Sequence, residues 1–157
     1  GAPNASPIES KVAVAAPSPP AAAVPETPPA PRPRPLHVLF VDDEPQLVAV
    51  ATELLELEGY SVQGFVDPAA AEAAFIQAPS TFDVVVTDFN MPGLSGLELV
   101  ARLRAVRANL PVVLMSGNLS DRVVREARSI GIEALVDKPK LISDLAPAIA
   151  RLCPLAA

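Results

Sequence analysis

Four short stretches carry side chains that could do chemistry together: Asp42-Asp43-Glu44, Asp88, Ser116-Gly117 and Lys138. Clustered carboxylates repel one another, so at least one pKa rises unless a cation neutralises them. An all-oxygen donor set in a small rigid site suits Mg2+, which keeps several waters and takes one or two carboxylates together with phosphate oxygens. A carboxylate can attack phosphorus and become an aspartyl phosphate. Such a transfer needs mainly positioning and neutralisation of charge. Mg2+, the Lys138 ammonium and backbone N–H groups would supply the neutralisation. The Ser116 hydroxyl can donate to a phosphoryl oxygen, and Gly117 leaves room for close backbone approach.

Taken singly, each stretch has a plainer reading. Acids favour a helix N-terminus, so Asp42-Asp43-Glu44 alone fits a polar loop and helix start. Asp88 alone fits a cap or turn, Lys138 a solvated lysine, and Ser116-Gly117 an ordinary turn. The chemical reading depends on whether the fold brings the set together.

The elements that would do so are legible as apolar periodicity. Residues 36–41 form a short apolar run that ends at the acids. Residues 44–58 carry Leu47, Val50, Ala51, Leu54 and Leu55 at helical spacing, and Gly59 closes that helix as a C-cap. Further strands are expected at 60–65, 82–87, 111–115 and 133–137, and further helices at 68–77, 94–107, 120–130 and 141–152. Val84-Val85-Val86 reads as a strand buried on both faces. In the fourth helix Val123, Val124, Ala127 and Ile130 are expected inward, with Gly131 closing it. Five β–α repeats in 118 residues imply a parallel sheet with helices on both faces. Right-handed crossovers make the α/β doubly wound sheet the default. Ligands of such a sheet sit beyond the carboxyl ends of its strands. The acids follow strand one, Asp88 strand three, Ser116-Gly117 strand four and Lys138-Pro139 strand five, so all four stretches converge on one edge.

Composition divides the chain. Eleven of the 19 prolines and nine alanines fall in the first 35 residues, which contain no aromatic residue. Such a stretch buries too little surface to offset its ordering entropy, so residues 1–35 are expected to be a disordered Pro/Ala-rich linker. Fully extended at ~3.1 Å per residue it would reach roughly 110 Å. Residues 36–153 form the domain and 154–157 a short tail. Prolines interrupt every apolar run of the linker, so it is no signal peptide. No segment reaches the ~18 apolar residues of a membrane span. The single cysteine, Cys153, excludes an internal disulfide and fits a reducing, cytoplasmic setting, with a membrane anchor elsewhere in a parent chain left open. The linker carries +1 and the remainder −7, and an acidic domain without a basic stripe argues against nucleic acid and anionic membrane as partners. The only histidine, His37, opens the first strand away from the acids, which favours a structural role and argues against a Ser-His-Asp triad. Arg102, Arg104 and Arg107 read as a solvated helix face.

In order, spacing and placement, VDDEP at 41–45, VTDFNMPGLSG at 86–96, MSG at 115–117 and DKP at 137–139 resemble the response-regulator receiver family, the CheY-like domains. The resemblance covers residues 36–153. It implies a flavodoxin-like five-stranded parallel sheet in the order 2-1-3-4-5 with five helices. It implies that Asp88 is the phosphoacceptor and that Asp42, Asp43, Asp88 and the Asn90 backbone carbonyl hold Mg2+, Asp43 directly and Asp42 largely through water. Ser116 would be the switch hydroxyl, Ser116, Gly117 and Lys138 would contact the phosphoryl group, and the Lys138–Pro139 peptide would be cis. The implied function is a binding switch phosphorylated from the phosphohistidine of a histidine kinase or a histidine phosphotransfer domain. It would catalyse only its own phosphorylation and dephosphorylation. The linker suggests the C-terminal receiver of a hybrid sensor histidine kinase; a free-standing single-domain regulator is the alternative. An aspartyl-phosphate phosphohydrolase is a third reading, but it wants a second acid where Asn90 stands. Two positions depart from the family pattern: the switch position Leu135 replaces the usual aromatic, and Lys140 replaces the phenylalanine that often follows Lys-Pro.

Overall fold

The computed structural model describes residues 34–154. Residues 1–33 of the expected linker and 155–157 of the expected tail lie outside the described residues. The apolar runs form a five-stranded parallel sheet: β1 (His37–Val41), β2 (Ser61–Phe65), β3 (Val84–Asp88), β4 (Val112–Ser116) and β5 (Ala134–Asp137). Their spatial order is β2-β1-β3-β4-β5, as expected. Helices α1 (Pro45–Leu57), α2 (Pro68–Gln77), α3 (Gly96–Val106), α4 (Asp121–Ser129) and α5 (Leu141–Leu152) make the connections. Among the described residues no helix is long and apolar enough to cross a membrane.

Every residue of β3 and β4 is buried, because helices cover both faces of the sheet. The period-two alternation of strand side chains divides the core into two layers. Leu39, Val41, Val85 and Leu114 face Ala71 and Phe75 of α2, Leu99 and Leu103 of α3, and Val123 and Ala127 of α4. Val38, Phe40, Val84, Val86, Val113 and Met115 face Ala51 and Leu55 of α1 and Leu141, Leu145 and Ile149 of α5. Full burial of each such side chain is worth about 1.5–3 kcal/mol, so the two layers fix the strand register. That register pairs Val41 with Thr87, Asp88 with Met115 and Ser116 with Asp137, which brings the strand ends to one edge.

Several boundaries differ from expectation for identifiable reasons. Pro79–Thr81 forms a 3-10 turn and Phe82 tucks into the core before β3 begins. The third helix starts at Gly96 because Ser95 and Glu98 close a reciprocal capping box. Ile130, expected inward, is 38% exposed at the end of α4; Ile132, beyond the left-handed Gly131, fills the core instead. Two of the three arginines are structural ties rather than a solvated face. Arg104 donates to the Leu110 and Ile130 carbonyls, and Arg107 to those of Pro79 and Phe82. His37 is structural: its Nδ1 lies 3.1 Å from Ser61 Oγ and its ring packs on Phe82.

The Lys138–Pro139 peptide corrects the expectation of a cis bond. The described residues contain no cis peptide, so this bond is trans. Lys138–Lys140 form a 3-10 turn whose Lys138 carbonyl accepts from the Leu141 N–H, carrying the chain directly from β5 into α5. The trans isomer, favoured at X–Pro by about 0.5–1 kcal/mol, serves that turn.

Candidate functional site

The site begins where β1 and β3 end side by side. The Asp42 N–H donates to the Phe65 carbonyl at 3.1 Å, extending the β1–β2 pairing by one bond. One Asp42 carboxylate oxygen accepts from the Glu44 N–H at 2.8 Å, which tightens the turn into α1. Asp88 closes β3. Both Asp42 and Asp88 are buried, and Asp42, Asp43 and Asp88 each offer a carboxylate oxygen within 4.8 Å of the others.

Lys138 follows β5 and reaches back across the sheet edge to these acids. Its Nζ lies 2.9 Å from Asp42 Oδ2, 3.3 Å from Asp88 Oδ2 and 3.5 Å from Glu44 Oε2. Burial, and then the neighbouring Asp42 charge, push the Asp88 carboxyl up to about 6, against the pull of Lys138 and the Asn90 N–H. Burial raises Asp42 as well, opposed by the Glu44 N–H and by Lys138. Burial alone would lower Lys138, but its contacts with Asp42 and Asp88 outweigh this and hold the ammonium above its ordinary range.

Three carboxylates thus share one ammonium with Asp43 close to two of them, and the site is short of positive charge. Asp42 Oδ2 is buried and close to Lys138, yet it lies off the line of any hydrogen bond. An all-oxygen set with an undirected buried carboxylate oxygen fits a small hard dication.

Ser116, Gly117 and Asn90 line an adjoining groove of about 350 Å3, together with Phe89 and Arg122. The Ser116 hydroxyl donates to the Asn118 carbonyl at 3.0 Å and accepts from its N–H at 3.1 Å, so it is engaged within its own loop. A Cβ at Gly117 would meet nothing within 4 Å, which leaves the space beside it open. Asp42, Asp43 and Asp88 are therefore in direct range of one another and Lys138 in range of Asp42 and Asp88, while Ser116, Gly117 and Asn90 stand next to them. Leu135 is half-buried against the α2–α3–α4 layer, and Lys140 is exposed.

Two residues at the site escaped the sequence reading. Thr87 donates its hydroxyl to the Asp88 carbonyl at 3.1 Å in a buried setting; the available signal was a hydroxyl closing a valine run. Gly96 sits against the same carbonyl, where a Cβ would lie 2.1 Å from the oxygen. Its signal was a glycine directly after the capping serine.

Residues 38–150 match the family model of the response regulator receiver domain. The chain is 35% identical over 111 residues to the uncharacterized transcriptional regulatory protein YkoG of Bacillus subtilis, covering 69% of this chain and 47% of that one. It is 30% identical over 125 residues to the sensory/regulatory protein RpfC of Xanthomonas campestris, covering 77% of this chain and 17% of that one. It spans less than half the length of either relative. The solved structure of response regulator protein TrrA from Thermotoga maritima, in complex with Mg(2+)-BeF, matches with a TM-score of 0.66 at 26% identity, over 74% of this chain and 98% of that one. The sheet order, the acids and lysine gathered at its carboxyl edge, and a family match across nearly the whole described domain agree: the chain belongs to the response regulator receiver domain family of two-component signalling.

Proposed function

We propose that this receiver is a binding switch in which Asp88 accepts a phosphoryl group from a phosphohistidine in the presence of Mg2+. The observation that carries the reading is Lys138 Nζ bridging Asp42 and Asp88 in a pocket with more acids than cations. An Asp88 carboxylate oxygen attacks phosphorus and the P–N bond breaks. The electron pair leaves on the imidazole nitrogen, which takes up a proton. With its carboxyl at about 6, Asp88 is largely ionised at neutral pH and nucleophilic. The Lys138 ammonium exchanges a carboxylate for a phosphoryl oxygen. The Ser116 hydroxyl leaves Asn118 and donates to another, which moves the β4–α4 loop. Mg2+ held by Asp42, Asp43, Asp88 and the Asn90 carbonyl would neutralise charge on the transferred group, a role supported by the Mg(2+)-BeF complex of the similar TrrA.

The donor is a protein: a histidine kinase phosphohistidine domain or a histidine phosphotransfer domain. An apolar groove of about 310 Å3 adjoins Lys138, between Leu47 and Val50 of α1 and Pro139 and Ile142 beyond β5. Val50 is 46% and Ile142 70% exposed, apolar surface beside the charged site that a docking partner would cover. A hybrid sensor histidine kinase is the favoured context, ahead of a free-standing regulator. In support, the matched sensory/regulatory protein is a much longer chain.

The direct test is intact mass after incubation with Mg2+ and acetyl phosphate or a phosphorylated phosphotransfer domain. The wild type gains one phosphoryl group and Asp88→Ala gains none. An unmodified wild type, or equal gain on the variant, overturns the reading.

A further inference from the structure

β3 reads Val84-Val85-Val86-Thr87-Asp88, and every one of these residues is buried. Threonine breaks the pattern. Valine has nearly the same shape and would bury a methyl group where threonine must find a partner for a hydroxyl. The register neighbours of Thr87 are Val41 and Leu114, both apolar and fully buried. The hydroxyl donates to the carbonyl oxygen of the next residue, Asp88, at 3.1 Å.

That carbonyl belongs to a peptide held from several directions. Gly96 bounds the oxygen on another side, where a Cβ would stand 2.1 Å away. The N–H of the same peptide, on Phe89, donates to the Met115 carbonyl at 2.7 Å, and the following carbonyl accepts from the Gly96 N–H at 3.0 Å. One residue further on, the Asn90 N–H stands near enough to the Asp88 carboxylate to favour its charged form. The tilt of the Asp88–Phe89 peptide plane therefore sets where the carboxylate and the Asn90 backbone stand relative to each other.

We infer that Thr87 is a positioning residue for phosphoryl acceptance: its buried hydroxyl fixes the Asp88–Phe89 peptide plane and so aims the Asp88 carboxylate. The inference rests on Asp88 being the acceptor. In-line transfer is sensitive to small displacements, and a misplacement of about 1 Å can slow a reaction roughly a hundredfold. Loss of one of several restraints allows a smaller rocking of the plane.

Thr87→Val keeps the shape and removes the donor; Thr87→Ser keeps the donor and removes the methyl group. Both are compared with wild type by thermal unfolding and by the phosphorylation rate at fixed acetyl phosphate and saturating Mg2+. Thr87→Val is expected to unfold no earlier than wild type yet to phosphorylate about tenfold more slowly. Thr87→Ser is expected to unfold earlier yet to react near the wild-type rate. A purely structural hydroxyl would not send the two readouts in opposite directions. In NMR spectra, the Asn90 amide should move in the valine variant and stay in the serine variant. Thr87→Ala, with no added methyl group and no donor, carries the same kinetic expectation should valine overpack the strand. Wild-type rates in the valine and alanine variants, or equal slowing in the serine variant, overturn the inference. An unphosphorylated wild type overturns the acceptor assignment itself.

Discussion

The Cα of Gly96 packs so closely on the end of β3 that an added methyl group would sit 2.1 Å from the Asp88 carbonyl oxygen. The first turn of α3 and the end of β3 are thus in backbone contact, with the Ser95–Glu98 capping box fixing where that turn begins. The requirement is for space, since Gly96 is not among the described glycines with positive φ.

Gly96→Ala tests this contact with an informative sign. In an unobstructed helix the change stabilises by about 1 kcal/mol. Here a backbone oxygen lies in the way, and either α3 or the end of β3 must move. The expected outcome is a loss of about 1–3 kcal/mol in urea unfolding, together with slower phosphorylation. A variant as stable and as reactive as wild type would show that α3 gives way without disturbing Asp88.

The acids make stability depend on pH in a direction opposite to the usual carboxylate. The folded-state value for Asp88, about 6, lies above its ordinary 3.8. Between these values the folded protein binds the extra proton more tightly than the unfolded chain. The stabilisation is fully present below about pH 4 and is lost as pH rises through 6. Asp88→Asn removes this titration. The variant should match wild type near pH 4 and exceed it by on the order of 2–3 kcal/mol at pH 7.5 without metal. Mg2+ should close that gap at pH 7.5 and lose its effect as pH falls through 6. Parallel urea curves for the two proteins across this range would contradict the account.

Much of this arrangement is written locally in the sequence. The valine run of β3 and the helical stripes specify a parallel doubly wound sheet, and its handedness forces the acids, Ser116 and Lys138 to one edge. What lies beyond local pattern is distance. Nothing in the residues after β5 says that Lys138 folds back to reach Asp42 beyond β1, three strands away in the sheet. Ile130 fits the inward stripe of α4, but the helix ends one residue before it. Gly96 and Thr87 matter through contacts with one carbonyl, and a contact of that kind has no periodicity to betray it.

Lys138 offers a test in which binding and reaction separate. Its ammonium partly neutralises Asp42 and Asp88 and also occupies the electrostatic ground that a dication would share. Lys138→Met removes a positive charge that repels the metal and competes with it for carboxylate oxygens. Mg2+ should therefore bind the variant more tightly, by at least about tenfold, the repulsion between a dication and an ammonium roughly 5 Å apart even at the dielectric of water. Phosphorylation should nevertheless slow, because the transferred group loses the cation that follows it onto Asp88. Without metal, two buried acids remain with no counter-charge, so the variant should unfold earlier at pH 7.5 than at pH 5. Calorimetric titration with Mg2+ and phosphorylation rates on the same samples decide the matter. Weaker Mg2+ binding in the variant would mean that Lys138 orders the carboxylates for the metal rather than competing with it.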